Sequence, residues 1–470
     1  MRQRCLQLGG LGLALLTPLL LNPWAALPFE PVKVSFVRGV TLLLLLVVIG
    51  AGLGRQQRHW YRLPMSTVRL SPFAGAVLLY GIVLLVTTAT SFDPSRSWWG
   101  ASDRHGALTT GCGLLLFGLL RPVLHSARHV SHHLLAWVAG SVPVCLYGLV
   151  QAGGVDPLAW HTDSVSPVLS TLGRSNNVGV YLALVIPLTL HLAWIGWRQQ
   201  RRGAVAGVGV ILLLQCFCLA LTQARAGWVA FLGGVALWWW YAPLPQDRRQ
   251  RIVGLLVFGL ICVALFTTVE TTVEIVVEQE GAAPPTEPGQ SATGPTFVER
   301  RSSSVERRWT IWQHTLPLVG ERWLLGYGPE MFGDIFQRRY PPGSLYDGAD
   351  NWVDDPHNLL LDQLMASGMM GAMAWLLLIG LFYRQTDAAA KRSPASEGRS
   401  SAAALLGAMT AYVIQAQFTS DTIVPTIGFW LFLTYAAALP TPCNHDCTNG
   451  KRFKRGRRHG PAGSSNSRSR

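Results

Sequence analysis

Residues 354–382 read DDPHNLLLDQLMASGMMGAMAWLLLIGLF. Two carboxylates, a proline and a His-Asn pair pass without a linker into an apolar run long enough to cross a bilayer as a helix, which takes about 20 residues. Most of the chain repeats the apolar half of this pattern. Only 14% of its 470 residues are charged, 50% are hydrophobic and the mean hydropathy is +0.29, whereas a soluble domain carries about 25% charge. Lipid offers no partner to backbone N–H and C=O groups, so an all-α bundle of spanning helices is the fold that this composition allows. The question is why one of those helices opens with a histidine.

Twelve spans are predicted at 9–27, 34–53, 72–90, 106–124, 133–152, 176–196, 203–222, 226–242, 252–269, 357–382, 401–419 and 424–440. The domain plan is therefore nine spans in 1–269, a large outer loop at 270–356, three spans in 357–440 and a basic tail at 441–470. Segment 279–304, rich in Pro, Gly, Ser and Thr, is predicted to be mobile. The first span follows MRQR and is broken by Pro18 and Pro23; it reads as an uncleaved signal-anchor.

Charge sets the orientation. With the N-terminus cytoplasmic, the inner loops 1–8, 54–71, 125–132, 197–202, 243–251 and 383–400, the helix-end Arg121 and the tail hold most of the 39 Lys and Arg. They hold only Asp247, Asp387, Glu397 and Asp446 of the 25 acidic residues. Both termini are predicted to be cytoplasmic and the long loop outside. The formal charge of +14 then suits anionic headgroups and calls for no nucleic acid. The tail KRFKRGRRHGPAGSSNSRSR reads as a disordered, topology-setting end. The eight cysteines form no disulfide framework, since five lie in predicted spans and Cys5, Cys443 and Cys447 are cytoplasmic. CNHDC at 443–447 lacks a second ligand pair, and no metal site is predicted.

Four separate segments bring cationic or ionisable groups to predicted outer helix ends. Arg174 and Asn177 stand in LGRSNNVGVYLALVIPL, Arg225 in the tight turn of LTQARAGWVAFLGG, Arg307 and Arg308 in the outer loop, and His357 with Asn358 at the head of the tenth span. Each has a plain structural reading. Arg174 snorkels to phosphate headgroups; Arg307 and Arg308 pair with Glu299 or Glu306; His357 sits in a first helical turn behind Asp354 and Asp355, where acidic residues suit the helix dipole. Arg225 is harder to dismiss, because a cation in a short outer hairpin between two apolar helices is costly. Trp309, Trp312 and Leu316 form a helical stripe beside the loop arginines, and LLGYGPEMF reads as a glycine-rich turn. Guanidinium groups match phosphate oxygens and stabilise a leaving diphosphate as its charge develops. Histidine is the side chain poised to take a proton from a hydroxyl near neutral pH. The set points to transfer of a group from a lipid diphosphate to a hydroxyl.

These motifs resemble the O-antigen ligase and polymerase superfamily. DDPHNLLLDQLMASGMMG is similar to its His-Asn-x-x-Leu…Gly-x-x-Gly signature, ERRWTIWQHTLPLVGERWLLGYGPEMF to its Arg-x-x-x-Trp segment and following turn, LTQARAGWVAFLGG to its Ser-Arg-Gly span start, and LGRSNNVGVYLALVIPL to its Gly-x-x-x-Asn…Pro span. The resemblance covers about residues 165–435. It implies a GT-C-like membrane glycosyltransferase, metal-independent and inverting, that passes a glycan from undecaprenyl diphosphate to an acceptor hydroxyl on a glycan or lipid. On matching positions it implies His357 as the base and Arg225 and Arg308 as diphosphate ligands. Arg308 would be placed by Trp312, with Arg174 as a third cation. Ala224 replaces the family's serine, Ala226 its glycine, and GRSNN its Gly-x-x-Asn-x-Asn. Ligase and polymerase are both open. Rivals are a cation-dependent transferase using Asp354, Asp355 and His357, an anion transporter of similar architecture of the bicarbonate type, and a membrane scaffold. No cofactor is predicted.

Overall fold

The computed structural model describes residues 2–53, 71–100, 105–124, 126–158, 160, 166–244, 247, 249–250, 252–254, 297–341, 353–392 and 397–439. Among these residues every regular element is helical. The helices are α1 (Arg2–Leu16), α2 (Glu30–Leu53), α3 (Pro72–Ala89), α4 (Pro94–Trp99), α5 (Ala107–Leu120), α6 (Ala127–Ala152), α7 (Ser175–Arg198), α8 (Arg202–Thr222), α9 (Arg225–Tyr241), α10 (Phe297–Glu321), α11 (Phe332–Arg339), α12 (Leu359–Arg392), α13 (Glu397–Gln415) and α14 (Ile423–Ala438). Among the described residues six stretches of helix are long and apolar enough to cross a membrane, and two shorter apolar helices accompany them. The predicted ninth span lies outside the described residues except for 252–254, and the basic tail wholly so; of the 279–304 segment, predicted to be mobile, only 297–304 are described, and these form the first turns of α10 instead.

Long-range hydrogen bonds show that successive spans alternate between two ends of one bundle. At the near end, Glu30 Oε2 accepts from Ile423 N at 3.0 Å, Phe92 N donates to Tyr327 O at 3.0 Å, Ser166 Oγ donates to Leu221 O at 2.7 Å, and Leu359 N donates to Ala416 O at 2.7 Å. At the far end, Gln7 Nε2 donates to Val123 O at 3.1 Å, Tyr241 Oη to Asp387 Oδ1 at 2.7 Å, and Ser131 Oγ to Glu397 Oε1 at 2.9 Å. The start of α1 and the finish of α14 therefore both lie at the far end.

The centre is α7, α9, α13 and α14. In α14 a run of fourteen residues from Ile423 to Ala436 is buried throughout. Helices α9 and α13 approach at glycines: a Cβ on Gly407 would stand 2.7 Å from the Gly234 carbonyl, and one on Gly234 would stand 2.8 Å from Gly407 O. Small residues let helix backbones pack closely where lipid supplies no hydrophobic drive between helices. Outside this centre, Leu42, Leu43 and Leu46 of α2 and Leu213 and Phe217 of α8 are exposed, as acyl chains require of a membrane-facing surface.

Two predicted spans differ from expectation. The first helix covers Arg2–Leu16 rather than 9–27; Pro18 and Pro23 stop it, and a short 3-10 turn at Thr17–Leu19 follows. The tenth span is not one continuous helix. Gly368 has φ 60 and ψ −163, which breaks α12. The broken turn leaves two carbonyls and two N–H groups to satisfy, and the loop after α10 supplies all four partners. Met365 O accepts from Tyr327 N at 2.7 Å and Ala366 O from Gly328 N at 3.0 Å; Met369 N donates to Trp323 O at 2.8 Å and Met370 N to Leu324 O at 3.3 Å. Those are the groups that would have paired with one another in an unbroken helix. Side chains would prevent the contact, because a Cβ on Gly368 would lie 2.3 Å from Leu324 C, and one on Gly326 would lie 2.5 Å from Met365 O.

Candidate functional site

His357 is not the first residue of α12. It stands in the turn before it, with φ 51, a left-handed conformation uncommon for a residue with a side chain and one that clusters at functional sites. Contacts to Asp355 and Ser420 help to fix it. Its N–H donates to Asp355 Oδ1 in a short bond; its Nδ1 lies 2.8 Å from Ser420 Oγ and 3.6 Å from Asp355 Oδ1. With the proton placed on Nδ1, Nε2 keeps a lone pair. Asn358 holds the backbone in place, since its Oδ1 accepts from Leu361 N at 3.1 Å and caps α12.

Trp312 of α10 donates from Nε1 to Pro356 O at 2.8 Å. The tryptophan expected to place Arg308 thus holds the carbonyl immediately before His357. Arg308, one helical turn earlier on α10, is half-buried, and burial lowers its pKa from the ordinary arginine value; Arg307 is exposed. The α10 loop is in turn tied to the α3–α5 connection. Ser97 Oγ donates to Pro329 O at 2.7 Å, Arg96 pairs with Asp334 at 2.9 Å, and the Arg338 guanidinium lies 4.5 Å from the Phe92 ring centre.

Arg225 is the exposed first residue of α9, after Gln223 makes a left-handed turn with φ 54. It sits at the near end. Helices α9 and α13 run antiparallel, since Arg399 Nε donates to Tyr241 O at 3.0 Å while Gly234 faces Gly407. The Arg225 end of α9 therefore lies with the Gln415 end of α13, against which the His357 turn is bonded. Gly227 packs on Gly179, which brings the start of α7, and Arg174, to this end as well. Arg174 and Asn177 border a pocket of about 390 Å³ beside Phe29, Glu30 and Trp160, and Asn177 Nδ2 donates to Leu172 O at 3.2 Å. The structure thus joins Trp312, His357 and Asn358 around one turn and places Arg174, Arg225, Arg307 and Arg308 at the same end.

A second feature escaped sequence reasoning. Behind the His357 turn lies a cavity of about 100 Å³, bordered by Asp355, Asp362, Gln363, Asp421 and Glu330. Its other walls are aromatic: Tyr80, Trp375, Tyr412, Phe429 and Trp430. Asp421 occupies the α13–α14 turn. Tyr412 Oη donates to its Oδ2 at 3.0 Å, while its Oδ1 is buried with no hydrogen-bond partner among the described residues. Burial pushes the Asp421 carboxyl up to about 7, against hydrogen bonds from Tyr412 and Thr426 that favour its charged form; the carboxylates of Asp355 and Glu30 add to the rise. The sequence signal was present in QFTSDTIVP, an acidic residue in a short turn between two apolar spans. Among the described residues no three His, Cys, Asp or Glu side chains are grouped as a metal site.

Residues 210–376 match the family model described as O-Antigen ligase. The match spans about a third of the chain, and over this segment the chain is similar to that family. The segment runs from within α8, through α9, α10 and α11, past the break in α12, and it contains Arg225, Arg307, Arg308, Trp312, His357 and Asn358. Arg174, Asn177, Ser420 and Asp421 lie outside it. No curated protein matches the chain. Together with the apolar helices, the family supports a ligase- or polymerase-like membrane protein, multi-pass in a bacterial inner membrane.

Proposed function

We propose that the protein transfers a glycan from undecaprenyl diphosphate to an acceptor hydroxyl at the outer face of the plasma membrane, in the assembly of cell-surface polysaccharide. The observation that carries this reading is the shared end: the turn that fixes His357 and the segments bearing Arg225, Arg307, Arg308 and Arg174 meet at one side of the bundle. The start of α1, the finish of α14 and the basic residues Arg198, Arg201, Arg202, Lys391 and Arg392 lie at the other side, which on charge grounds is cytoplasmic.

The step balances without a further reactant. His357 Nε2 takes the proton of the acceptor hydroxyl as its oxygen bonds to the anomeric carbon, and the bond from that carbon to the diphosphate oxygen breaks. The diphosphate departs with the electron pair, and Arg225 and Arg308 offset the charge that it gains. Attack opposite the leaving group inverts the anomeric carbon, and no metal is required. Trp312 and Asp355 hold the His357 turn; they are positioning residues.

A deletion strain complemented with the wild type, Arg225→Ala or His357→Ala tests the proposal. Surface polysaccharide returns with the wild type and stays absent with either variant at equal protein level. Accumulated lipid-linked polymer marks a ligase, and lost chain length marks a polymerase. Full polysaccharide from His357→Ala sinks the proposal.

A further inference from the structure

Between α3 and α5 runs an open groove of about 660 Å³. Ile82 and Leu85 of α3 and Leu115 of α5, all exposed, border it. Gly111 and Gly118 of α5 border it too, and a Cβ on either would meet nothing within 4 Å. The two helices therefore leave space between them that no side chain of theirs fills. The groove follows the bundle axis. Helix α5 starts beside His105, whose Nε2 lies 3.1 Å from Thr426 Oγ1 at the near end. It finishes beside Val123, whose carbonyl accepts from Gln7 at the far end. From Leu108 to Arg121 the chain rises about 20 Å, more than the half-thickness of about 15 Å that one acyl chain of a leaflet fills.

Arg121 stands at the far end of this groove. It is the one charged residue among the described residues that border it, and no carboxylate does. A cation at a helix end can snorkel to water, yet Arg121 Nε is shielded and has no hydrogen-bond partner among the described residues. A donor left so is costly. The residue as a whole is only half-buried, so a group lying in the groove reaches the guanidinium. Phosphate oxygens match its planar donors. A zwitterionic headgroup would also bring an ammonium, for which the groove offers no carboxylate.

We propose that the groove is a binding site for an anionic phospholipid of the leaflet at the far end, with its phosphate on Arg121 and one acyl chain along Gly118, Gly111 and Leu85. The lipid closes the seam between α3 and α5. The glycan donor of the proposed reaction does not suit this groove, because that lipid carries its diphosphate at the near end, where no cation borders it.

Native mass spectrometry of the purified full chain tests this, with phosphatidylglycerol, phosphatidylcholine or undecaprenyl phosphate added to the detergent. The first phosphatidylglycerol to bind the wild type is retained about fivefold more tightly than phosphatidylcholine, the effect of one arginine at an anionic headgroup. Arg121→Gln abolishes that preference. Gly118→Leu keeps Arg121 but puts a side chain into the groove, where it has room, and it weakens the first phosphatidylglycerol several-fold. Gly111→Leu does the same from the middle of the groove and carries the test where Gly118→Leu does not fold. Phosphatidylglycerol also raises the thermal midpoint of the wild type by a few degrees and leaves that of Arg121→Gln where it was. The proposal is overturned if Arg121→Gln keeps the preference, if neither glycine variant changes retention, or if undecaprenyl phosphate is the lipid that these residues control.

Discussion

The near end of the bundle is built in two ways. Around Arg225 the frame is continuous: α9 lies against α13 through Gly234 and Gly407, and against α7 through Gly227 and Gly179, with backbone hydrogen bonds closed inside each helix. Around His357 the frame is assembled from separate pieces. Helix α12 is broken at Gly368, and its free backbone groups are satisfied by the loop from Trp323 to Gly328. The residue of interest there sits in a left-handed turn held by Trp312, Asp355 and Ser420. One half is a platform that resists change, and the other is a clamp whose geometry depends on a loop distant in sequence. A cation that only receives charge tolerates the first arrangement; a base that must meet one proton needs the second.

Three substitutions probe this contrast. Gly407→Leu drives a side chain into the Gly234 carbonyl and costs about 3 kcal/mol by overpacking; the protein fails to appear as a monodisperse species on size exclusion. Gly368→Ala places a side chain at φ 60 and against the Leu324 backbone, which costs about 2 kcal/mol in local strain. Its effect is confined to the clamp: limited proteolysis opens the 323–328 loop and transfer falls, while α9 and α13 stay protected. Trp312→Phe keeps the ring but removes the donor to Pro356 O, a loss of about 1 kcal/mol. Transfer drops several-fold with no change in thermal midpoint beyond a few degrees. If Gly368→Ala unfolds the whole bundle, or if Trp312→Phe is as harmful as Gly407→Leu, the division into platform and clamp is wrong.

Much of the architecture was legible because a bilayer permits few folds. Apolar runs near twenty residues picked out, among twelve predicted, the six described helices that are long and apolar enough to cross a membrane, and the shared end of Arg225 and His357 followed from counting spans. What the sequence concealed was backbone detail. ASGMMG looks like small residues in a helix, and nothing local reveals that Gly368 is left-handed; the backbone packed against it, at Leu324 and Leu325, is remote in sequence. Trp312 was legible as a partner of the site but was assigned to Arg308, since spacing along one helix is visible in sequence and a bond to Pro356 is not. Asp421 and Ser420 were overlooked because a single turn between spans looks like a connection until Tyr412 and His357 are seen beside it. The resemblance extended over about 165–435, and the family match is confined to 210–376. Arg174 lies outside that match and borders a separate pocket, which makes it the weakest of the four cations.

Transfer by this chemistry depends on His357 acting as a base, and its backbone offers an unusually clean test. Because φ is 51, glycine adopts the turn without strain, so His357→Gly removes the imidazole and its bond to Ser420 but keeps the backbone bonds to Asp355 and Trp312. In vesicles supplied with lipid-linked glycan and acceptor, the expected transfer rate is lowered by about 10²–10⁴-fold and partly restored by added imidazole. A variant that transfers at the wild-type rate, or one that is folded and inactive yet indifferent to imidazole, would refute that role.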